Sequence, residues 1–144
     1  MSLQAAELKS EGNGLFLQKD YKNAATKYTE AIEHLPSSES TNTDLAVLHA
    51  NRAACYLSLR QYMDAFADSE RAAILDPNYS KAWARRATAE VALGRHDAAA
   101  IHWEKALTCL PNQNLSPAER LQRDQFNAGL RPPKTRHTTS RCTI

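Results

Sequence analysis

Length and composition indicate one helix-rich domain, because 144 residues with only four glycines suffice for a continuous helical core. The formal charge of +2 is misleading, because four of the 18 basic residues follow residue 130. Residues 1–128 contain the other 14 basic residues and all 16 acidic residues, so their net charge is −2. That balance excludes a bulk nucleic-acid interface, and the lack of any long apolar run excludes a membrane span. We therefore expect a soluble cytoplasmic protein that binds neither nucleic acid nor membrane.

Helical segments follow one another along the chain in pairs, and a proline closes each pair. The predicted helices cover residues 5–18 and 21–35, then 43–59 and 62–75, then 79–93 and 96–110. Pro36, Pro77 and Pro111 end the second helix of each pair, because proline cannot continue a helix without losing a hydrogen bond. The polar residues 37–42 between the first two pairs predict an exposed loop, which we interpret as a tolerated insertion.

The segment after the third pair predicts a capping helix over residues 117–128. An N-cap hydroxyl, a proline at the first helical position and a capping-box glutamate mark its beginning, namely Ser116, Pro117 and Glu119. We expect Gly129 to end this helix and Leu121 and Phe126 to cover the open face of the third pair. Residues 130–144 show no apolar periodicity and predict a disordered basic tail.

The three pairs share one repeating pattern. Four positions recur with the same spacing, namely Tyr21, Ala24, Ala31 and Pro36, then Tyr62, Ala65, Ala72 and Pro77, then His96, Ala99, Ala106 and Pro111. The copies are 41 and then 34 residues apart, so the first interval holds seven extra residues. A repeat in this range with helix-compatible spacing indicates a solenoid of helix pairs.

These residues resemble the tetratricopeptide repeat (TPR), in which small residues let neighbouring helices approach and bulky rings fill the space between them. The small residues here are Gly12, Ala53 and Ala87, and the rings are those of Tyr21, Tyr62 and His96. The resemblance implies an all-α solenoid of seven helices in a right-handed superhelix, with repeats over residues 5–38, 44–79 and 80–113 and the capping helix after them. The TPR domain then covers residues 1–129.

Within this family the chain is similar to adaptors that hold the acidic Glu-Glu-Val-Asp (EEVD) tail of cytosolic heat-shock chaperones in a two-carboxylate clamp. The residues that match the clamp, here called the clamp residues, come from the first helix of each repeat and are Lys9, Asn13, Asn51, Lys81 and Arg85. The resemblance assigns the first three to the terminal carboxylate and the last two to the aspartate side chain and nearby peptide. It implies a monomeric co-chaperone that binds chaperones of the seventy- and ninety-kilodalton classes.

Helical geometry supports a shared surface for the clamp residues. A helix turns roughly 100° per residue, so the five side chains fall in an arc about 100° wide, and the packing positions centre roughly 140° away. Because first helices line the concave side of such a solenoid, the five residues should converge on one groove. Lys81 and Arg85 are like charges one helical turn apart, an unfavourable arrangement that an anionic ligand would relieve.

The remaining polar residues show no pattern of catalysis or metal binding. The three cysteines and the helical histidines lack metal-ligand spacing, and no nucleophile elbow, phosphate loop or paired acids are present. We therefore expect reduced thiols, no metal, no cofactor, no catalytic residue and no enzymatic activity. Arg86 is expected to point outward into solvent.

Two alternative functions stay open at this point. The groove could bind an internal segment of a partner, or another copy of the chain, without recognising a terminal carboxylate. The basic tail could instead bind RNA or an acidic surface. The sequence also leaves open which chaperone class is preferred and whether the chain is a whole co-chaperone or part of a larger one.

Overall fold

The computed structural model describes residues 1–131, so the prediction of a disordered tail lies outside the described residues from position 132 onward. Within the described residues the chain forms seven α-helices and no strand. The helices are α1 (Leu3–Leu17), α2 (Tyr21–Glu33), α3 (Asn42–Ser58), α4 (Tyr62–Leu75), α5 (Ser80–Ala92), α6 (His96–Thr108) and α7 (Pro117–Leu130). The predicted all-α fold is confirmed, and each helix begins and ends within two residues of its predicted position.

The helices stack in chain order, which makes the molecule a solenoid of helix pairs. Each helix from α1 to α7 packs against the next, and α3 also contacts α5. The first helices of the second and third pairs are therefore neighbours on one side of the solenoid. The predicted loop between the first two pairs contains a short 3-10 helix, Glu39–Thr41.

The alanines of the repeating pattern lie where helices cross. All six, Ala24, Ala31, Ala65, Ala72, Ala99 and Ala106, are at most 1% exposed. A small side chain at these positions lets two helix axes come close together without a void. Gly12 serves the same purpose, because a Cβ atom there would lie 2.7 Å from the ring of Tyr28.

The capping helix α7 departs from prediction in two places. Its capping box is present, with the Ser116 hydroxyl accepting from the Glu119 amide at 3.2 Å. The prediction that Gly129 ends the helix is wrong, because α7 continues to Leu130 and a Cβ atom at Gly129 would overlap the Trp103 ring. Gly129 is therefore needed for close packing. Leu121 is also 60% exposed and covers nothing, whereas Phe126 is buried against Trp103 as expected.

A buried ion pair joins α3 to α4 within the second repeat, and its arginine also contacts the first repeat. The carboxylate of Asp68 on α4 accepts from Arg52 Nε at 2.7 Å and Nη2 at 2.6 Å, and it contacts His49 Nδ1 at 3.1 Å. Arg52 Nη1 also donates to Thr29 Oγ1 on α2 at 2.9 Å. Burial alone would raise the pKa of Asp68, but the hydrogen bonds from Arg52 and His49 outweigh it and hold that pKa below its usual value.

Arg86 packs against neighbouring side chains, contrary to the expectation that it points into solvent. Its guanidinium lies over the rings of Phe66 and Trp83, at 5.5 and 5.8 Å from their centres, and it pairs with Glu70 at 3.5 Å. Such cation–π contacts stabilise neighbouring helices. Arg86 is therefore part of the packing between α4 and α5.

Two further findings concern the described residues as a whole. Among the helices of residues 1–131, none combines the length and apolar character that a membrane span needs. The same residues hold no cluster of three histidine, cysteine or acidic side chains that could bind a metal ion.

Candidate functional site

The clamp residues lie on the three first helices, as helical geometry predicts. Lys9 and Asn13 are one turn apart on α1, Asn51 is on α3, and Lys81 and Arg85 are one turn apart on α5. Arg85 and Asn51 are half-buried, while Asn13 and Lys81 are exposed. The question is which of the five meet at one surface.

A first cavity of about 250 Å³ brings three of the clamp residues together. Its lining comes from α1, α2, α3 and α5 and consists of Asn13, Phe16, Leu17, Tyr28, Asn51, Ala54 and Arg85. One clamp residue from each of the three repeats therefore borders the same space. This cavity combines amide groups and a guanidinium with an apolar wall, as expected for a site that holds a chain end.

A second cavity of about 230 Å³ extends this surface towards the capping helix. It is lined by Lys81, Ala84, Arg85, Thr88, Trp103, Gln122, Gln125 and Phe126. Arg85 lines both cavities, so they adjoin at its side chain, and together we call them the groove. Lys9 lines neither cavity, and it lies half-buried one turn before Asn13 on α1.

The three cations among the clamp residues have no acidic partner in the part of the chain that the structure describes. The ion pairs among residues 1–131 use other basic groups, namely the N-terminus, Lys27, Arg52, Arg86, Arg123 and two histidines. Lys9, Lys81 and Arg85 thus keep their charge available for an anion.

Arg85 is the most constrained cation of the groove. Burial lowers the pKa of its guanidinium, and the nearby phenols of Tyr79 and Tyr28 offset this only in part. Its Nη1 atom is buried without a hydrogen-bond partner. Burial, followed by repulsion from Arg85, also lowers the pKa of Lys81. Groups among residues 1–131 compensate these positive charges only in part, and an anionic ligand would stabilise the charged forms.

Asn13 is held in one orientation by a residue of the neighbouring helix. Its Oδ1 atom accepts a hydrogen bond of 2.6 Å from the hydroxyl of Tyr28. The amide oxygen is thereby used inside the protein, and the two N–H bonds of Nδ2 remain to donate elsewhere. In this orientation Asn13 can donate to a carboxylate oxygen.

Two titratable groups behind the first cavity stay neutral at physiological pH. Burial raises the pKa of Tyr28 to about 12 and that of Cys55 to about 11. Neither the phenol nor the thiol therefore contributes negative charge that would offset the guanidinium of Arg85. Cys55 is also unreactive for the same reason, since the nucleophilic form of cysteine is the thiolate.

Several groove residues were not predicted from the sequence. Helical spacing could have indicated the apolar wall of the first cavity, because Phe16 lies three residues after Asn13 and Ala54 three residues after Asn51. Tyr28 belongs to a packing position of the repeat and carried no signal of a polar role. The contribution of α7, through Gln122 and Gln125, depends on how the capping helix docks.

Comparison with known proteins points to one family. No protein-family model matches the chain. Heat shock protein STI1 of Saccharomyces cerevisiae is 41% identical over 107 residues, which are 74% of this chain and 17% of that protein. The small glutamine-rich TPR-containing protein 2 of the same yeast is 38% identical over 104 residues, or 72% of this chain and 28% of that protein. The chain thus spans less than a third of the length of these relatives.

Solved structures of single domains match along nearly their whole length. The TPR2B domain of yeast Sti1, in a complex with pHsp70, has a TM-score of 0.74 and 32% identity, with 90% of this chain and 97% of that chain covered. The second TPR domain of human RPAP3, bound to the HSP70 peptide SGPTIEEVD, has a TM-score of 0.67 and 33% identity, covering 87% and 96%. The second TPR of Spaghetti (RPAP3), bound to the HSP90 peptide SRMEEVD, has a TM-score of 0.65 and 37% identity, covering 74% and 93%. The chain therefore belongs to the tetratricopeptide repeat family, as a TPR domain of the co-chaperone type.

Proposed function

We propose that this chain is an adaptor module that binds the free, acidic C-terminus of heat-shock chaperones in its groove. One observation carries the proposal: Asn13, Asn51 and Arg85, from three separate helix pairs, border one cavity whose cation has no acidic partner among residues 1–131. The peptides bound by the related domains, SGPTIEEVD and SRMEEVD, share the ending EEVD. A free EEVD end carries two carboxylates on its last residue, which suits such a site.

The roles proposed for the clamp residues are those that the family resemblance implies, and the chemistry of each side chain suits its role. Asn13 and Asn51 donate amide N–H bonds to the terminal carboxylate, and Lys9, one turn before Asn13 on α1, adds an ammonium. Arg85 offers a planar pair of N–H donors to the aspartate side chain, and Lys81 supports it with a second charge. Each charge-assisted hydrogen bond is worth about 1.5–3 kcal/mol when one partner is removed. The binding should therefore weaken as salt is added.

The module acts by recruiting a chaperone and needs no chemistry of its own. We place the binding unit in residues 1–129, in the cytoplasm, where seventy- and ninety-kilodalton chaperones present such tails. The matched relatives are much longer than this chain, so the activity of any larger protein would come from other segments. A chain truncated after Gly129 should keep full affinity for the peptide.

Isothermal titration with matched peptides tests the proposal. SGPTIEEVD and SRMEEVD are each titrated as free acid and as C-terminal amide. The amide removes one negative charge and replaces an acceptor by a donor, so we expect affinity to fall by more than about tenfold. Equal binding of acid and amide would instead support a scaffold that binds internal segments. The ratio of the two free-acid affinities gives the preferred chaperone class.

A further inference from the structure

We propose that Tyr28 is a positioning residue for the groove, and that its hydroxyl makes Asn13 an obligate hydrogen-bond donor to the ligand. The inference rests on the proposed function and adds a residue from α2, a helix outside the set that carries the clamp residues. Tyr28 is only 2% exposed, so its contribution to binding runs chiefly through Asn13. The two side chains are joined by the hydrogen bond of 2.6 Å from Tyr28 Oη to Asn13 Oδ1.

Packing fixes the place from which this hydroxyl acts. The Tyr28 ring lies directly against Gly12, where a Cβ atom would lie 2.7 Å from Cε1 and 3.1 Å from Cζ. Tyr28 also belongs to the buried core cluster of the first two repeats, together with Ala24, Leu48 and Cys55. A ring held on both sides cannot carry its hydroxyl away from Asn13 without disturbing the core.

The electrostatics of the site set the direction of the hydrogen bond. A phenol has one proton to donate, and burial raises the pKa of Tyr28 to about 12, so this proton is present at physiological pH. Arg85 lines the same cavity as Tyr28, and its positive charge acts to lower the pKa of the phenol. A nearby cation favours a hydroxyl whose oxygen faces the cation and whose proton points away. The carbonyl oxygen of Asn13 accepts that proton, which leaves Nδ2 on the opposite side of the amide.

This orientation gives the groove a way to distinguish a carboxylate from a carboxamide. A carboxylate only accepts hydrogen bonds, whereas a carboxamide also donates. With its oxygen held by Tyr28, Asn13 presents donors to the ligand and matches the carboxylate. Without the hydroxyl, the Asn13 amide could rotate by half a turn and place its oxygen against the ligand, which would repel a carboxylate.

Substitution Tyr28→Phe tests the proposal, because it removes the hydroxyl and keeps the ring. We expect affinity for free-acid SGPTIEEVD to fall by about fivefold, and affinity for the amidated peptide to change by less than about twofold. Tyr56→Phe is the matched control, since Tyr56 also packs against the first core cluster but does not line the groove. Circular dichroism and thermal melting should show the same helical fold in all three proteins.

A double-mutant cycle separates positioning from general support of the fold. In an Asn13→Ala background, Tyr28→Phe should cause no further loss of affinity, because the hydroxyl then has no amide to orient. The proposal would be overturned if Tyr28→Phe reduced peptide affinity equally in the wild-type and Asn13→Ala backgrounds. It would also be overturned if the Tyr28→Phe single variant bound the free-acid peptide as tightly as the wild type. The side-chain amide signals of Asn13 in the free protein should shift in Tyr28→Phe and not in Tyr56→Phe.

The same titrations distinguish failure of this inference from failure of the proposed function. Wild-type protein that binds acid and amide equally would overturn the proposed function and the inference with it. Wild-type protein that prefers the acid, together with a Tyr28→Phe variant that prefers it just as strongly, would overturn the role of Tyr28 alone.

Discussion

Two half-buried arginines in this molecule have opposite surroundings. Arg52 lies between α3 and α4 with both Nε and Nη2 on the carboxylate of Asp68, and that contact raises its pKa. Arg85 lies in the groove without an acidic partner among the described residues, and burial lowers its pKa. Arg52 therefore holds α3 against α4 within the second repeat, whereas the charge of Arg85 stays available to an anionic ligand. Substitutions at the two positions should have correspondingly different consequences.

Arg52→Ala should have the largest effect on stability. It leaves the carboxylate of Asp68 buried without its bidentate partner, which typically costs about 3 kcal/mol or more. Urea unfolding followed by circular dichroism measures this loss. Arg71→Ala, at an exposed position of α4, is the control and should change stability by less than about 0.5 kcal/mol. A variant of Arg52 as stable as the wild type would show that the ion pair does not stabilise the packing of α3 against α4.

Arg85→Ala should reverse this pattern and affect binding far more than stability. We expect affinity for the free-acid peptides to fall by more than about tenfold, since one charge-assisted partner is lost. The melting temperature should stay the same or rise, because an uncompensated buried charge is removed. Titration and thermal melting of the same samples measure both quantities. A large loss of stability without a loss of affinity would place Arg85 with Arg52 as a structural residue.

Lys9→Ala tests the one clamp residue that lines neither cavity. If it reaches the terminal carboxylate, its removal should also reduce affinity by more than about tenfold without a change in melting. Lys22→Ala, at an exposed position of α2, is the matched control. Wild-type affinity in Lys9→Ala would restrict the site to the four clamp residues that line the cavities.

The contrast between the two arginines also shows what the sequence could predict. The helices followed from prolines, alanines and capping residues, whose effects are local. The clamp residues were predicted from the family resemblance. Helical phase predicted only that they share a face, because residues at the same angle on repeated helices lie on the same side of the solenoid. The ion pair between Arg52 and Asp68 could not be predicted from helical phase. Its two side chains come from different helices, and their contact depends on how those helices pack.

The packing of α7 also explains why the predictions for Gly129 and Leu121 were wrong. Glycine near the end of a helix usually marks its termination, yet Gly129 is required inside α7 because the Trp103 ring fills the space a side chain would take. Leu121 has the apolar character of a core residue but is exposed, whereas Phe126 is buried. Tyr28 is the converse case, since a residue in a packing position also donates a hydrogen bond to the groove.

Acid should destabilise the protein through Asp68. Its pKa is lowered in the folded state, and an unfolded aspartate has a pKa of about 3.9. The stability contributed by this carboxylate is therefore fully present above about pH 5 and is lost as the pH falls through the lower, folded-state pKa. Free energies of unfolding between pH 6 and pH 2.5 should fall less steeply in Asp68→Asn than in wild type. Asp124→Asn, at an exposed position, should follow the wild-type slope.

The two glycines that flank Asn13 differ in their surroundings, and substitutions at these positions should have the smallest effects. Gly12 faces the packing side, and a methyl group there would lie 2.7 Å from the Tyr28 ring. Gly12→Ala should therefore lower the free energy of unfolding by about 1 kcal/mol. It should also weaken peptide binding, because the Tyr28 ring would have to shift. Gly14 has no atom within 4 Å of its would-be Cβ, so Gly14→Ala should stabilise α1 by about 0.5–1 kcal/mol. Thermal melting and peptide titration of both variants measure this. If Gly12→Ala binds the free-acid peptide as wild type does, the Tyr28 ring can shift without disturbing Asn13, and packing does not set the orientation of the amide.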